Sequence, residues 1–361
     1  MARKESDSSS FSMGNTAQEQ ALPYVPDCYV LPSSSDRRPS ADDRTADIPV
    51  IDMGGLRLQD ASQRANVVRQ IGNASRQLGF FQVVNHGISK AVMEAALEAA
   101  ADFFKLPAGE KAKFMSNDVF KPVRYGSSIK DGEDKVQFWR VFLKHYANPL
   151  AHWIHSWPQN PPHYRERVGE YSKEVKRVAL EIAESITESL GLDPTSCQLA
   201  HRLDGGMQTM AVNCYPPCPS PELALGLPPH SDYSCITVVL QSTPGLEILD
   251  PRDGTWKTAP DTRGALQVHI GDHVEVLSNG TYKSVVHRAA LNSRKTRISI
   301  ASLHSLGMDE KMGVAKELVG GDEGKERYRE SSFRDFLDSL SKNDIGTQGY
   351  KSFIDTLRIE K

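Results

Sequence analysis

Between Met207 and Leu306 the chain falls into a succession of short apolar, β-branched runs separated by Pro, Gly, Asn and Asp turns. The runs are Gln208–Tyr215, Ser234–Leu240, Leu246–Asp250, Trp256–Thr258, Ala265–Ile270, Val274–Leu277, Lys283–His287 and Arg297–Leu303. Short runs of this composition bounded by turn residues read as strands. About eight antiparallel strands in one block predict a double-sheet jelly roll, the cupin-like architecture. The fold class expected is therefore mainly β with flanking helices around that core.

The flanks carry a different period. Ile48–Asp52 reads as a short strand and Phe80–Val84 as a buried one, with Asn85-His86-Gly87 as a tight turn. Arg64 to Leu78 has apolar or small residues at Ala65, Val68, Ile71, Ala74 and Leu78, the spacing of an amphipathic helix stopped by Gly79. Ser89 is placed to cap a second helix through Met93, Leu97 and Phe104, ended by Leu106-Pro107. Lys135–Tyr146 reads as an aromatic-rich strand. A long helix is expected from Tyr164 to Leu190, with a stripe of Val168, Tyr171, Val175, Val178, Ile182, Ile186 and Leu190 turned to the core and Gly191 at its end. Helical patterning returns after Leu306, with Phe333, Phe336, Leu337 and Leu340 on one face and Phe353, Leu357 and Ile359 in a last helix or tail.

The organisation expected is a flexible leader over 1–47, disordered to about Ala21 with Leu22–Pro26 docking on the body. An α/β region over 48–160, a long helix and connection over 161–206, the jelly roll over 207–306 and a helical segment over 307–361 follow. Net charge is −3, with no basic stripe for nucleic acid and no polybasic segment for a membrane surface. No run of apolar residues is long enough to span a bilayer. The five cysteines have no paired spacing, which points to free thiols in a reducing compartment. The start lacks an apolar signal core, and Glu5, Asp7 and Glu19 weigh against a transit peptide, so a cytoplasmic monomer is expected.

Within the strand-rich block three side chains carry the chemistry. His230 and Asp232 are separated by one residue, and i, i+2 positions of a strand share a face. His287 follows 55 positions after Asp232, at the end of a strand-like run. Two imidazoles and a carboxylate are the donor set of the facial triad that leaves positions open on Fe(II), though a zinc hydrolase or a cupin-like binding protein uses the same ligand types. Ten residues on come Arg297 and Ser299, another i, i+2 pair. An arginine fork beside a hydroxyl suits a carboxylate.

NCYPPCPSPEL from Asn213, LGLPPHSD to Asp232, SNGTYKSVVHR to Arg288 and RISIASL from Arg297, with IPVIDM and GFFQVVNHGI earlier, together resemble the plant Fe(II)/2-oxoglutarate-dependent dioxygenases. That group contains flavanone 3-hydroxylase, flavonol synthase, anthocyanidin synthase, hyoscyamine 6-hydroxylase and salicylate 5-hydroxylase. The resemblance spans roughly 48–340. It implies a double-stranded β-helix with Fe(II) on His230, Asp232 and His287. It implies 2-oxoglutarate (2OG) bound at its C5 carboxylate by Arg297, Ser299 and Tyr215, with Asn213 as a further hydrogen-bond contributor. It implies O2 and a small-molecule substrate, succinate and CO2 as co-products, ascorbate to keep iron ferrous, and hydroxylation or desaturation as the outcome. It makes the NHG at His86 a structural turn and leaves His269 and His273 structural. The resemblance puts the C-terminal segment over the barrel mouth, and its pattern reads equally as an ordinary packing helix.

Substrate positions expected are Phe142, Lys144, Leu303 and Ser305, with Lys144 equally readable as a snorkelling surface lysine. Ala211 stands where flavonol and anthocyanidin synthases carry lysine, and Leu303 and Ser305 where they carry Phe and Glu, which weakens those two identities. The pocket is expected to suit a flat phenolic, a flavonoid, an indole, an alkaloid or a terpenoid acid. The enzymatic alternative is an Fe(II) oxidase of the ethylene-forming or isopenicillin-forming kind that uses no 2OG.

Overall fold

The computed structural model describes residues 16–30, 45–128, 137–319, 324–342 and 352–359. Twelve strands are found among them: β1 (Val50–Asp52), β2 (Phe80–Val84), β3 (Val123–Gly126), β4 (Val141–Tyr146), β5 (Met207–Tyr215), β6 (Leu227–His230), β7 (Ile236–Gln241), β8 (Leu246–Asp250), β9 (Thr255–Thr258), β10 (Leu266–Ile270), β11 (His287–Ala289) and β12 (Arg297–Ser305). They form an eight-stranded sheet in the order β1-β2-β10-β7-β12-β5-β4-β3 and a four-stranded sheet in the order β6-β11-β8-β9. Two sheets with antiparallel pairing, apart from β1 on β2, make the jelly roll.

The helices cover the large sheet for the reason their periods give. Helix Tyr164–Ser189 packs against helices Ala61–Gln77 and Lys90–Lys105 and against β12 and β7. Its stripe from Val168 to Ile186 is fully buried. Asp60 caps the first helix by accepting from the Ser62 and Gln63 amides, and Ser89 caps the second by accepting from Val92. Gly79 joins helix to β2 at φ +67°, where a Cβ would lie 1.9 Å from the Lys283 carbonyl oxygen, so no side chain fits.

Four expectations are corrected. Val274–Leu277 is not a strand but part of a helix, Asp272–Leu277, whose every residue is buried; its alternation of apolar and polar residues mimics a strand because burial is complete on all sides. Lys283–Val286 is irregular, and the strand begins rather than ends at His287. His230 closes β6, whereas Asp232 lies in the connection to β7, so the two do not share a strand face. Residues 16–21 are not disordered: Thr16, Ala17 and Gln18 are buried, and Gln18 Nε2 donates to the Arg140 carbonyl at 2.8 Å. The earlier part of the leader lies outside the described residues.

Candidate active site

The sheet register assembles the triad. His287 on β11 is the direct antiparallel partner of His230 on β6, and the two rings are 4.2 Å apart. After His230 the chain crosses from the small sheet to the large one, and Asp232 lies in that crossing. The crossing is pinned where Asp272 N donates to the Asp232 carbonyl at 2.8 Å and Gly271 N to that of Cys235 at 3.0 Å. A Cβ on Gly271 would stand 1.9 Å from the Ser234 carbonyl oxygen, so this close approach requires glycine. Asp232 Oδ1 is 3.7 Å from Nε2 of both His230 and His287. One donor atom from each of the three lies within 4.8 Å of the others.

The surroundings prepare these atoms to bind a cation. His230 Nδ1 lies 2.8 Å from the Pro228 carbonyl and His287 Nδ1 3.1 Å from that of Val285. A carbonyl only accepts, so Nδ1 carries the proton and Nε2 presents its lone pair to the site. Burial holds both imidazoles below their ordinary pKa, hence neutral. Burial alone would raise the Asp232 carboxyl, but His287, His269 and His230 around it bring it well below the usual range. Its Oδ2 is 3.1 Å from His269 Nδ1. Two neutral imidazoles, an ionised carboxylate and an outer hydrogen bond to each fit a divalent transition metal.

Along β12, Arg297, Ser299, Ala301, Leu303 and Ser305 face one cavity of about 280 Å³, which also receives the triad. Arg297 is buried, with Nε donating to the Thr243 carbonyl at 3.1 Å and Nη2 to Gln241 Oε1 at 2.9 Å. Its guanidinium carbon is 5.1 Å from the centre of the Tyr215 ring, its cross-strand partner. Burial lowers its pKa, and no carboxylate among the described residues offsets this. A buried fork without an anion of its own suits a ligand carboxylate. Asn213 pairs with Ser299 and accepts from Arg140 Nη1 at 3.2 Å through Oδ1.

Phe142, Lys144, Leu303 and Ser305 all line the cavity; Lys144, Leu303 and Ser305 lie at the end away from Arg297, whereas Phe142 shares the cross-strand row of Asn213 and Ser299. Lys144 is not a surface lysine: it is half-buried and gives its Nζ to the Val119 carbonyl at 3.0 Å. It lies directly across from Ala211. Phe333, Phe336, Leu337 and Leu340 close the same end, with Phe336 stacked on Tyr233 at 4.5 Å. His86 holds the Gly264 carbonyl at 3.1 Å and accepts from the Ile88 amide, a structural role. His273 is buried between Cys235 and Ser331. The sequence reading missed His269 as a partner of Asp232, and Arg124 and Arg140 as cavity residues. The position of His269 in the apolar run of β10 was the available signal, but its partner is set by sheet register.

Comparison with known proteins agrees with this geometry. Residues 206–305 match the family model of the 2OG-Fe(II) oxygenase superfamily, and residues 48–160 that of the non-haem dioxygenase in morphine synthesis N-terminal region. The chain is 49% identical to rice (Oryza sativa subsp. japonica) 2-oxoglutarate-dependent dioxygenase 21, chloroplastic, over 87% of this chain and 92% of that one. It is 46% identical to flavanone 3-dioxygenase 3 of the same organism, over 89% and 96%. The structure superposes on JOX2 in complex with 2OG, Fe and JA with a TM-score of 0.81, at 32% identity, over 95% of this chain and 97% of that one. These relatives favour use of 2OG over the oxidase alternative. The chain belongs to the 2OG-Fe(II) oxygenase superfamily and is a 2-oxoglutarate-dependent dioxygenase.

Proposed function

We infer that this enzyme hydroxylates or desaturates a small, largely apolar metabolite of the flavonoid, phenolic, indole, alkaloid or terpenoid-acid kind. The observation that carries the reading is one cavity with the triad in its wall, a buried arginine fork at one end and aromatic and aliphatic side chains at the other. In this reading His230 Nε2, an Asp232 carboxylate oxygen and His287 Nε2 hold Fe(II). Arg297, Ser299 and Tyr215 hold the C5 carboxylate of 2OG, and Asn213 steadies that end through Arg140. When bound, Fe(II) with 2OG and O2 supplies the oxidative decarboxylation that yields succinate and CO2 and oxidises a substrate C–H bond. The side chains of this protein position and shield. Arg297 fixes the direction of the co-substrate, because a bidentate pair sets orientation as well as charge. Phe142, Lys144, Leu303 and Ser305 receive the organic substrate, and Phe333, Phe336, Leu337 and Leu340 exclude water above it.

Ascorbate is expected to sustain turnover by keeping iron ferrous. The enzyme is expected to act as a monomer in the cytoplasm; a fluorescent fusion imaged in leaf cells tests the compartment, since one relative is named chloroplastic. No helix among the described residues is long and apolar enough to cross a membrane. The function is tested by a screen of flavanones, phenolic acids, indoles and gibberellin precursors read by succinate formation. Substrate-stimulated succinate is expected from at least one class; none from any class would overturn the substrate reading.

A further inference from the structure

Lys144 occupies an unusual position for a lysine. It stands on β4 between Arg124 of β3 and Ala211 of β5, in a row that continues through Ala301 of β12 to Val239 of β7. All five line the cavity. The two alanines keep the middle of the row open. Lys144 Nζ donates to the Val119 carbonyl at 3.0 Å and lies 4.7 Å from the centre of the Tyr146 ring. Among the described residues no carboxylate lies within 4.0 Å of it. An ammonium carries three N–H groups and no acceptor, so donors remain for a ligand.

This charge is not needed by the co-substrate. Ala301, which marks the row of Lys144, is four residues along β12 from Arg297. Four residues of strand extend roughly 13 Å, whereas the four C–C bonds of 2OG span at most about 6 Å. A 2OG molecule anchored on Arg297 and turned to the triad therefore leaves Lys144 to another molecule. Burial, with Arg124 adding to it and Asp118 partly offsetting it, pushes the Lys144 ammonium down to about 7, so the nearby carboxylate does not balance the cost of burying it. Around it Phe142, Leu303, Phe336 and Leu340 give the cavity wall apolar surface, beside the guanidinium of Arg124.

Resting on the oxygenase reading above, we propose that Lys144 is a specificity-determining residue that selects substrates carrying a carboxylate on a flat apolar body. The carboxylate accepts from Nζ, the apolar body lies against Phe142 and Leu303, and the oxidised carbon lies toward the triad. Neutral molecules of the same shape leave the ammonium desolvated and unpaired, which disfavours them.

The test uses matched pairs differing in that one group: indole-3-acetate and indole-3-acetamide, salicylate and salicylamide, cinnamate and cinnamamide, with the flavanone naringenin as an uncharged comparator. Succinate formation is measured with wild type, Lys144→Arg and Lys144→Met, the last keeping length and losing charge. Loss of one member of a buried charge pair costs binding roughly thirty-fold or more. At least one acid should therefore exceed its amide by about that factor in kcat/KM, mainly through KM. Lys144→Met should bring the ratio of acid to amide near one, and Lys144→Arg should keep most of it. The proposal is overturned if no acid is turned over, if amides or naringenin are preferred by wild type, or if Lys144→Met lowers acid and amide alike. If Fe(II)-loaded wild type releases no succinate from 2OG with or without any of these compounds, the oxygenase reading itself fails and this proposal falls with it.

Discussion

In the proposed site, where Arg297 holds the C5 carboxylate of 2OG, replacing Arg297 separates the co-substrate end from the metal. Arg297 is buried and already committed on two nitrogens, to the Thr243 carbonyl and to Gln241 Oε1, which fix the plane of the guanidinium over Tyr215. A 2OG carboxylate meeting that preset fork gains charge-assisted hydrogen bonds without ordering the side chain first. Arg297→Ala leaves the carboxylate desolvated without a partner, a truncation that typically costs about 2–5 kcal/mol. At 1.4 kcal/mol per factor of ten, the concentration of 2OG required should rise roughly thirty-fold or more. Arg297→Lys keeps the charge, loses the fork and should fall between. The assay titrates 2OG against succinate formation at fixed organic substrate, beside an anaerobic Fe(II) titration that should barely move because Arg297 donates nothing to the metal. An unchanged 2OG curve in Arg297→Ala would refute the reasoning, and turnover without any 2OG would bring back the oxidase alternative.

His269 is a positioning residue, held 3.1 Å from Asp232 Oδ2. His269→Ala should weaken Fe(II) or Co(II) binding by about 10–100-fold, the usual effect of losing an outer-shell partner, and His269→Asn, whose amide also donates, should recover part of it; equal metal titrations in all three proteins would remove the role. Arg288 pairs with Glu247 at 2.7 Å across β11 and β8, buried, with its guanidinium carbon 4.2 Å from the centre of the Trp256 ring. Arg288→Met should destabilise the fold by about 3–5 kcal/mol in urea unfolding because it breaks a buried ion pair by removing one member, and adding Glu247→Leu should restore much of the loss; a single substitution that is neutral would contradict the pairing.

How much of this was legible depends on whether the determinant was local. The helix over Tyr164–Ser189 could be read because its stripe repeats with the helix period and Gly191 follows it at φ +69°. β2 matched Phe80–Val84 because its run is bounded by Gly79 and the Asn85-His86-Gly87 turn. The donor set of His230, Asp232 and His287 could be listed from residue type and spacing, but not the way they meet. A strand-face argument put His230 beside Asp232, whereas the structure joins His230 to His287 by cross-strand register and delivers Asp232 from the connection between sheets. His269 and Asp232 are 37 residues apart and meet only because β10 pairs with β7. Lys144 looked able to reach water; in the fold it lines the cavity, with its Nζ on the Val119 carbonyl. Helix Asp272–Leu277 was hidden because a fully buried short helix has no polar face to reveal its period.

The central claim is that His230, Asp232 and His287 hold the Fe(II) on which conversion of 2OG to succinate depends. It is tested most directly by anaerobic Fe(II) titration of wild type, His230→Ala, Asp232→Ala and His287→Ala, each followed by succinate formation at saturating Fe(II), with circular dichroism to establish folding. The account predicts one high-affinity ferrous site per wild-type chain, its loss in all three folded variants, and no succinate from any of them. A folded variant that still binds Fe(II) tightly and releases succinate at the wild-type rate would contradict it.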